Sequence, residues 1–244
     1  MTAIELNNLR KEYKDVVAVN DLSFTVEEGE LFSLLGVNGA GKTTTIKMLS
    51  TLISPTGGDA TILGKSLRRE AQEIKGLIDV STQETAVARK LTVDENIEFY
   101  AALNGLSAEE IRERKAAAYA VFGLDTVAKK QACKLSGGWQ RKLSIALALV
   151  CRPRILFLDE PTLGLDVLAR RELWRAITSL KGKMTIILTT HYMEEAEALS
   201  DRIGIMDRGK LLFVGTKEEL YARSGKSNVE DAFVEIVMGG DVHA

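Results

Sequence analysis

Gly36, Gly39, Gly41, Lys42 and Thr43 stand in the run GVNGAGKTT, directly after the apolar stretch Leu31 to Leu35. This spacing fits GxxxxGK[ST], in which the backbone amides of a glycine-rich turn face an oxyanion. Gly36, Val37, Asn38, Gly39, Ala40, Gly41, Lys42, Thr43 and Thr44 are therefore the expected phosphate cradle. A helix opening near Lys42 would add the positive end of its dipole. Lys42 would reach the β- and γ-phosphates of a nucleotide, and the Thr43 hydroxyl would hold Mg²⁺. The next chemistry-bearing pair is Asp159-Glu160, after the short stretch Arg154 to Leu158. Like charges side by side need a cation or separate duties to relieve them. A carboxylate at the C-terminal end of a strand downstream of a phosphate loop suits the Mg²⁺ side, which leaves Glu160 as the better-placed general base. His191 closes the run Thr189-Thr190-His191. It can donate to a γ-phosphate or to a carboxylate, or it is an ordinary histidine at a helix start. The other histidine, His243, falls in a tail expected to fray.

The elements that must position these groups alternate in kind. Leu22, Phe24 and Val26 alternate with polar residues, so the N-terminal segments read as antiparallel strands beside the phosphate-loop strand. Tyr13 sits in a charged turn there, either as an edge-sheet packing residue or as a face for an adenine ring. The helix from Lys42 is expected to run to Ser54-Pro55, with a turn at Gly57-Gly58, a strand over 60–63, a helix over 66–75 and a strand near 76–80. Gln83 follows in a polar linker, where a glutamine taken alone is a solvated side chain. From about 89 to 151 the pattern is helical throughout: 93–103, 108–122 and 136–150. Strands resume at 154–158, 185–188, 203–206 and 211–214, with helices over 167–180, 194–199, 217–223 and 229–237. The fold class expected is α/β: a mostly parallel core sheet (1–88 and 152–244), an N-terminal antiparallel β subdomain and an inserted helical subdomain (about 89–151), together one domain.

Bulk properties narrow the classes. A net charge of −2, from 32 basic and 34 acidic residues, gives no general attraction for nucleic acid, and none is expected as a partner. Two cysteines, Cys133 and Cys151, suit a reducing compartment. The longest apolar run, near 145–151, falls far short of the ~20 residues that a spanning helix needs. The N-terminus carries charges and no apolar signal segment. A cytoplasmic protein is expected, with any membrane association made through a partner.

Leu135-Ser136-Gly137-Gly138-Trp139-Gln140-Arg141-Lys142, then ILFLDEPTLGLD at 155–166, then TTH at 189–191, follow the phosphate loop in order. In these motifs the chain resembles the ATP-binding subunit of an ABC transporter over nearly its whole length, with the P-loop NTPase fold. The stretches LTVDENIEFYAALNGL and TTHYMEEAEALSDRI are similar to those of the exporter-type branch that serves drugs, antibiotics, sodium or polysaccharides. The resemblance implies that ATP and Mg²⁺ bind here and that Tyr13 stacks on adenine. Gln83 would contact the metal and water and report nucleotide state to a membrane partner. Asp159 would lie on the metal side, Glu160 would polarise the attacking water and His191 would contact the γ-phosphate. Asp166 would contact the opposite subunit, and Ser136, Gly137 and Gly138 would bind the γ-phosphate of ATP held by that subunit. A serine and two glycines at a helix N-terminus form a second anion site, and one chain needs no second site for one phosphate. Two copies, or two homologous subunits, head to tail would complete each other's site. A separate transmembrane permease would hold the pair at the inner face of the membrane. Trp139 stands where the family usually has Gln, and it is expected to pack against the adenosine or the partner. A soluble ATPase of the Fe–S assembly type is the alternative reading.

Overall fold

The computed structural model describes residues 1–240, so His243 lies outside the described residues. The chain opens with two long antiparallel strands, β1 (Thr2–Tyr13) and β2 (Val16–Glu27). From Leu22 to Val26, β2 alternates buried with exposed, the period of a half-buried strand. Next comes β3 (Leu31–Leu35), buried at every position, and then the loop that leads into α1 (Lys42–Leu49). α1 stops a turn earlier than the sequence pattern suggests. Thr51 takes a left-handed φ of 61°, and Leu52 and Ile53 both donate back to the Lys47 carbonyl, which closes the helix before Pro55 is reached.

Gly57 and Gly58 are not a turn but the start of β4 (Gly57–Ile62), which pairs with β1. With β5 (Lys65–Ser66) they complete a four-stranded antiparallel sheet of order β2-β1-β4-β5. The helix expected over 66–75 is reduced to α2 (Ala71–Lys75). Asp59 accepts from the Ser66 hydroxyl at 2.6 Å and from the Arg68 amide at 3.2 Å, and Glu70 accepts from the Ser66 amide at 2.7 Å. These side-chain bonds hold 66–70 in a turn and compete with helix formation.

β6 (Ile78–Ser81) leads to the helices α3 (Val93–Leu103), α4 (Ala108–Phe122) and α5 (Gly137–Val150). Thr92 and Ser107 start α3 and α4 with capping boxes to Glu95 and Glu110. β7 (Ile155–Asp159), α6 (Val167–Thr178), β8 (Thr185–Thr190), α7 (Met193–Leu199) and β9 (Arg202–Asp207) follow. The chain continues through β10 (Lys210–Gly215), α8 (Lys217–Ser224) and α9 (Val229–Gly240). α9 therefore runs on through Gly239 and Gly240, where a mobile end was expected. The core sheet has the order β10-β9-β3-β8-β7-β6, parallel except for the β9–β10 hairpin. β3, β7 and β8 are buried along their whole lengths, as befits parallel strands covered on both faces. One apolar cluster runs from Val93 and Ile97 through Leu143 and Leu147 to Leu156 and Leu188, so α5 joins the inserted helices to the sheet without a seam. Trp139 packs against this cluster of its own chain, with Lys142 Nζ 4.4 Å from its ring centroid, and not in the phosphate-loop cavity.

Candidate nucleotide site

The carboxyl ends of β3, β7 and β8 lie side by side, because the three strands are parallel neighbours: Leu35 pairs with Thr190, and Asp159 with Thr189. Everything that follows these strand ends is brought to one edge, the general location of ligand sites in open α/β sheets. A cavity of about 500 Å³ opens there, lined by Asn38 to Thr44, Gln83, Glu160, Leu163, His191 and Ala18.

The loop has the shape of an anion cradle. Among the described residues its amides make two internal bonds, Gly36 to the Thr190 carbonyl and Ala40 to the Val37 carbonyl. The first amides of α1 have no intrahelical carbonyl to reach. Gly41 takes φ 105°, and a Cβ there would stand 2.5 Å from the Ala18 carbonyl oxygen; one on Gly36 would stand 2.4 Å from that of Met206. Only glycine lets the chain pass so close to its neighbours in this conformation. Lys42 is buried, with Nζ donating to the Gly36 carbonyl at 2.8 Å and the Val37 carbonyl at 3.1 Å. Burial lowers its pKa, and the negative charges of Glu160 and Asp159 offset part of that shift.

The two adjacent carboxylates are turned to different duties. Asp159 Oδ1 accepts from Thr43 Oγ1 at 3.1 Å and from Thr189 Oγ1 at 2.5 Å. Glu160 takes a left-handed φ of 47°, a strained conformation for this residue type, which turns its side chain away from Asp159's partners. Its Oε1 lies 3.7 Å from Lys42 Nζ and its Oε2 lies 3.2 Å from His191 Nδ1, the latter without the alignment of a hydrogen bond. Thr43 and Asp159 offer a hydroxyl and a carboxylate at one point, the hard oxygen donors that Mg²⁺ prefers. Donor types and loop geometry thus both fit a Mg²⁺-nucleotide.

The remaining expected residues lie elsewhere. Tyr13 ends β1, half-exposed, with Lys11 Nζ 5.1 Å from its ring centroid, and does not line the cavity. Ser136, Gly137 and Gly138 start α5 away from the cavity; Ser136 is its N-cap, but its hydroxyl makes no capping bond. Asp166 is also outside the cavity, and its Oδ1 accepts the Leu168 and Ala169 amides at 2.9 and 3.0 Å as the N-cap of α6. Thr189 also takes part, although no motif in the sequence marks its hydroxyl. It accepts from the Glu160 amide at 3.1 Å while donating to Asp159.

Residues 19–163, which carry the phosphate loop, Gln83, the α5 start and Asp159-Glu160, match the family model described as ABC transporter. The chain belongs to the ABC transporter family. It is an ATP-binding module of that family, with the P-loop NTPase fold of an ATPase. A probable multidrug ABC transporter ATP-binding protein, YbhF of Escherichia coli, is 38% identical over 246 residues, covering 98% of this chain and 42% of YbhF. This chain thus spans less than half the length of that relative. The doxorubicin resistance ATP-binding protein DrrA of Mycobacterium tuberculosis is 42% identical, over 96% of this chain and 70% of DrrA. Among solved structures, a dimeric post-hydrolysis ATP-binding cassette bound to ADP and Pi superposes with a TM-score of 0.78 at 26% identity, over 87% of this chain and 98% of the other.

Proposed function

We propose that this chain binds ATP with Mg²⁺ and hydrolyses it between two head-to-tail copies or homologous subunits, driving export through a separate transmembrane permease. The observation that carries the reading is Glu160, whose carboxylate stands between Lys42 and His191 at the rim of the phosphate cradle. In that position it can orient a water for in-line attack on the γ-phosphorus, while Lys42, the loop amides and His191 stabilise the charge on the transferring phosphoryl group. Thr43 and Asp159, with Gln83 lining the same cavity, would hold Mg²⁺, which when bound neutralises charge on the phosphate oxygens. Tyr13 would meet the adenine beyond the cavity.

The separation of Ser136, Gly137 and Gly138 from the cavity supports the two-copy arrangement, because these amides face no phosphate of their own chain. Asp166, exposed as the N-cap of α6, whose first turn approaches the start of α5 (a Cβ on Gly138 would stand 3.0 Å from Ala169 Cβ), would contact the opposite copy. The dimeric ADP-bound cassette supports the pairing, and the doxorubicin resistance and multidrug ATP-binding proteins among the similar proteins fit an outward passage of the substrate. Among the described residues no helix is long and apolar enough to cross a membrane, so the passage is assigned to the permease, which would keep this chain at the inner face.

Glu160→Gln tests the reading. Steady-state hydrolysis should fall by about 10²- to 10⁴-fold with ATP binding retained, and the variant should dimerise with ATP and Mg²⁺ in light scattering. Hydrolysis near the wild-type rate removes Glu160 from its role, and a monomer with ATP bound removes the shared site.

A further inference from the structure

α5 begins with Ser136, Gly137 and Gly138, assigned above to the second copy's phosphate, and one turn further on it carries Arg141, which is 3% exposed. Its guanidinium is spread between two backbone carbonyls of its own nucleotide site. One Nη donates to the Thr82 carbonyl at 2.6 Å, and the other donates to the Glu160 carbonyl at 2.8 Å. Thr82 immediately precedes Gln83, and Glu160 is the strained residue in the left-handed region. Arg141 therefore ties together three segments far apart in sequence: the start of α5, the linker after β6 and the turn after β7. Neither carbonyl lies in a strand ladder: that of Glu160 also accepts the Leu163 amide at 3.2 Å, and the guanidinium adds a side-chain donor where the sheet supplies none.

The geometry points to Arg141 as a positioning residue for hydrolysis: its fork fixes Gln83 and Glu160 relative to the helix whose N-terminus engages the partner's ATP. The inference rests on the hydrolytic, two-copy reading above. Both of the Arg141 hydrogen bonds end on main-chain carbonyls, and neither reaches the phosphate loop or a side chain that lines the cavity. Its effect should thus fall on turnover and not on nucleotide affinity. Reaching two divergent acceptors at once requires the planar fork of arginine; lysine keeps the charge but offers one compact donor group. Displacing α5 by engagement of the partner's phosphate would move both tethered loops together, so closure on one ATP would align the base and the linker of the other.

The test compares Arg141→Lys and Arg141→Met with wild type. Both should lose about ten- to a hundredfold in kcat, the scale of a small misplacement of reacting groups, while binding a fluorescent ATP analogue as wild type does. A lysine variant with wild-type kcat overturns the proposal, and so does a methionine variant whose KM rises at constant kcat. Wild-type protein without ATPase activity would instead count against the hydrolytic reading itself. A measurement that needs no change at 141 uses hydrogen–deuterium exchange on Glu160→Gln with and without ATP and Mg²⁺. Segments 136–142 and 82–87 should gain protection together. Protection of the first without the second overturns the tether, and protection of neither refutes the shared site beneath it.

Discussion

Gly41→Ala should damage the nucleotide site in a manner that Gly39→Ala does not, although both glycines have positive φ, 105° and 84°. An alanine at 39 meets nothing within 4 Å, so its penalty is the left-handed backbone alone, about 1–2 kcal/mol. At 41 the added carbon stands 2.5 Å from the Ala18 carbonyl oxygen and 2.8 Å from Met206 Cε. The methionine end can swing aside, but the carbonyl belongs to β2 and resists. Forcing an extra carbon into such a space costs about 1–3 kcal/mol beyond the backbone strain, for a sum of about 2–5 kcal/mol. If the fold absorbs all of it, melting falls by about 4–20 °C for a domain of this size. If the loop yields instead, its amides shift off the phosphates and ATP affinity falls tenfold or more, by about 1.4 kcal/mol per decade. Thermal melting without nucleotide, paired with titration of a fluorescent ATP analogue, captures both routes. Equal melting points and equal affinities for the two variants would refute the claim that close approach at Gly41 shapes the cradle.

Asp159→Asn should abolish most of the gain in nucleotide affinity on adding Mg²⁺, on the order of ten- to a hundredfold, while leaving binding in EDTA close to wild type; equal losses in both would place Asp159 outside the metal set. Asp79, on β6, accepts from the Val80 amide at 2.7 Å and from the Tyr100 hydroxyl at 3.1 Å, and burial pushes its carboxyl up to about 6. Because the folded protein holds this proton more tightly than the unfolded chain, its stabilisation is full below about pH 4 and is lost as pH rises through 6. Urea unfolding should show Asp79→Asn gaining about 2–3 kcal/mol on wild type between pH 4 and 7, and parallel pH profiles would sink the assignment.

The phosphate loop, the Asp159-Glu160 pair, His191 and the succession of strands along the chain that carry them were legible because each depends on short-range pattern. An apolar run followed by Gly-Lys-Thr, or ended by Asp-Glu, specifies strand, turn and chemistry within a few residues. The inserted helices were legible for the same reason, from the apolar periodicity within 93–103, 108–122 and 136–150. What escaped depends on which of several like residues the fold turns inward. In Gln140-Arg141-Lys142 nothing local tells how each cation is buried, yet Arg141 is spread between two carbonyls beside the site while Lys142, also buried, pairs with Glu172 at 2.8 Å. Residues 194–199 read as an acidic helix turn, in which no local pattern singles out one glutamate. Glu195 is nevertheless fully buried and accepts from Trp174 Nε1 at 3.0 Å, and burial raises its pKa. The early end of α1 and the turn at 66–70 were missed because they rest on Thr51's backbone and on Asp59's bonds across a sheet edge, neither visible in propensity.

The central strand carries a consequence for how the molecule is made. Both neighbours of β3, β8 and β9, come from the last quarter of the chain, and the Leu31 amide donates to Asp201, 170 residues later. At about 5–20 residues per second, synthesis separates the two by on the order of ten seconds or more. Throughout that interval the nascent β3, Leu-Phe-Ser-Leu-Leu, has no ladder to join, and the phosphate loop after it has no anchored strand from which to turn. A ribosome-bound intermediate of the first 180 residues would expose an apolar edge and bind ATP poorly. Nucleotide binding would then arrive late, as a mark that the C-terminal strands have docked.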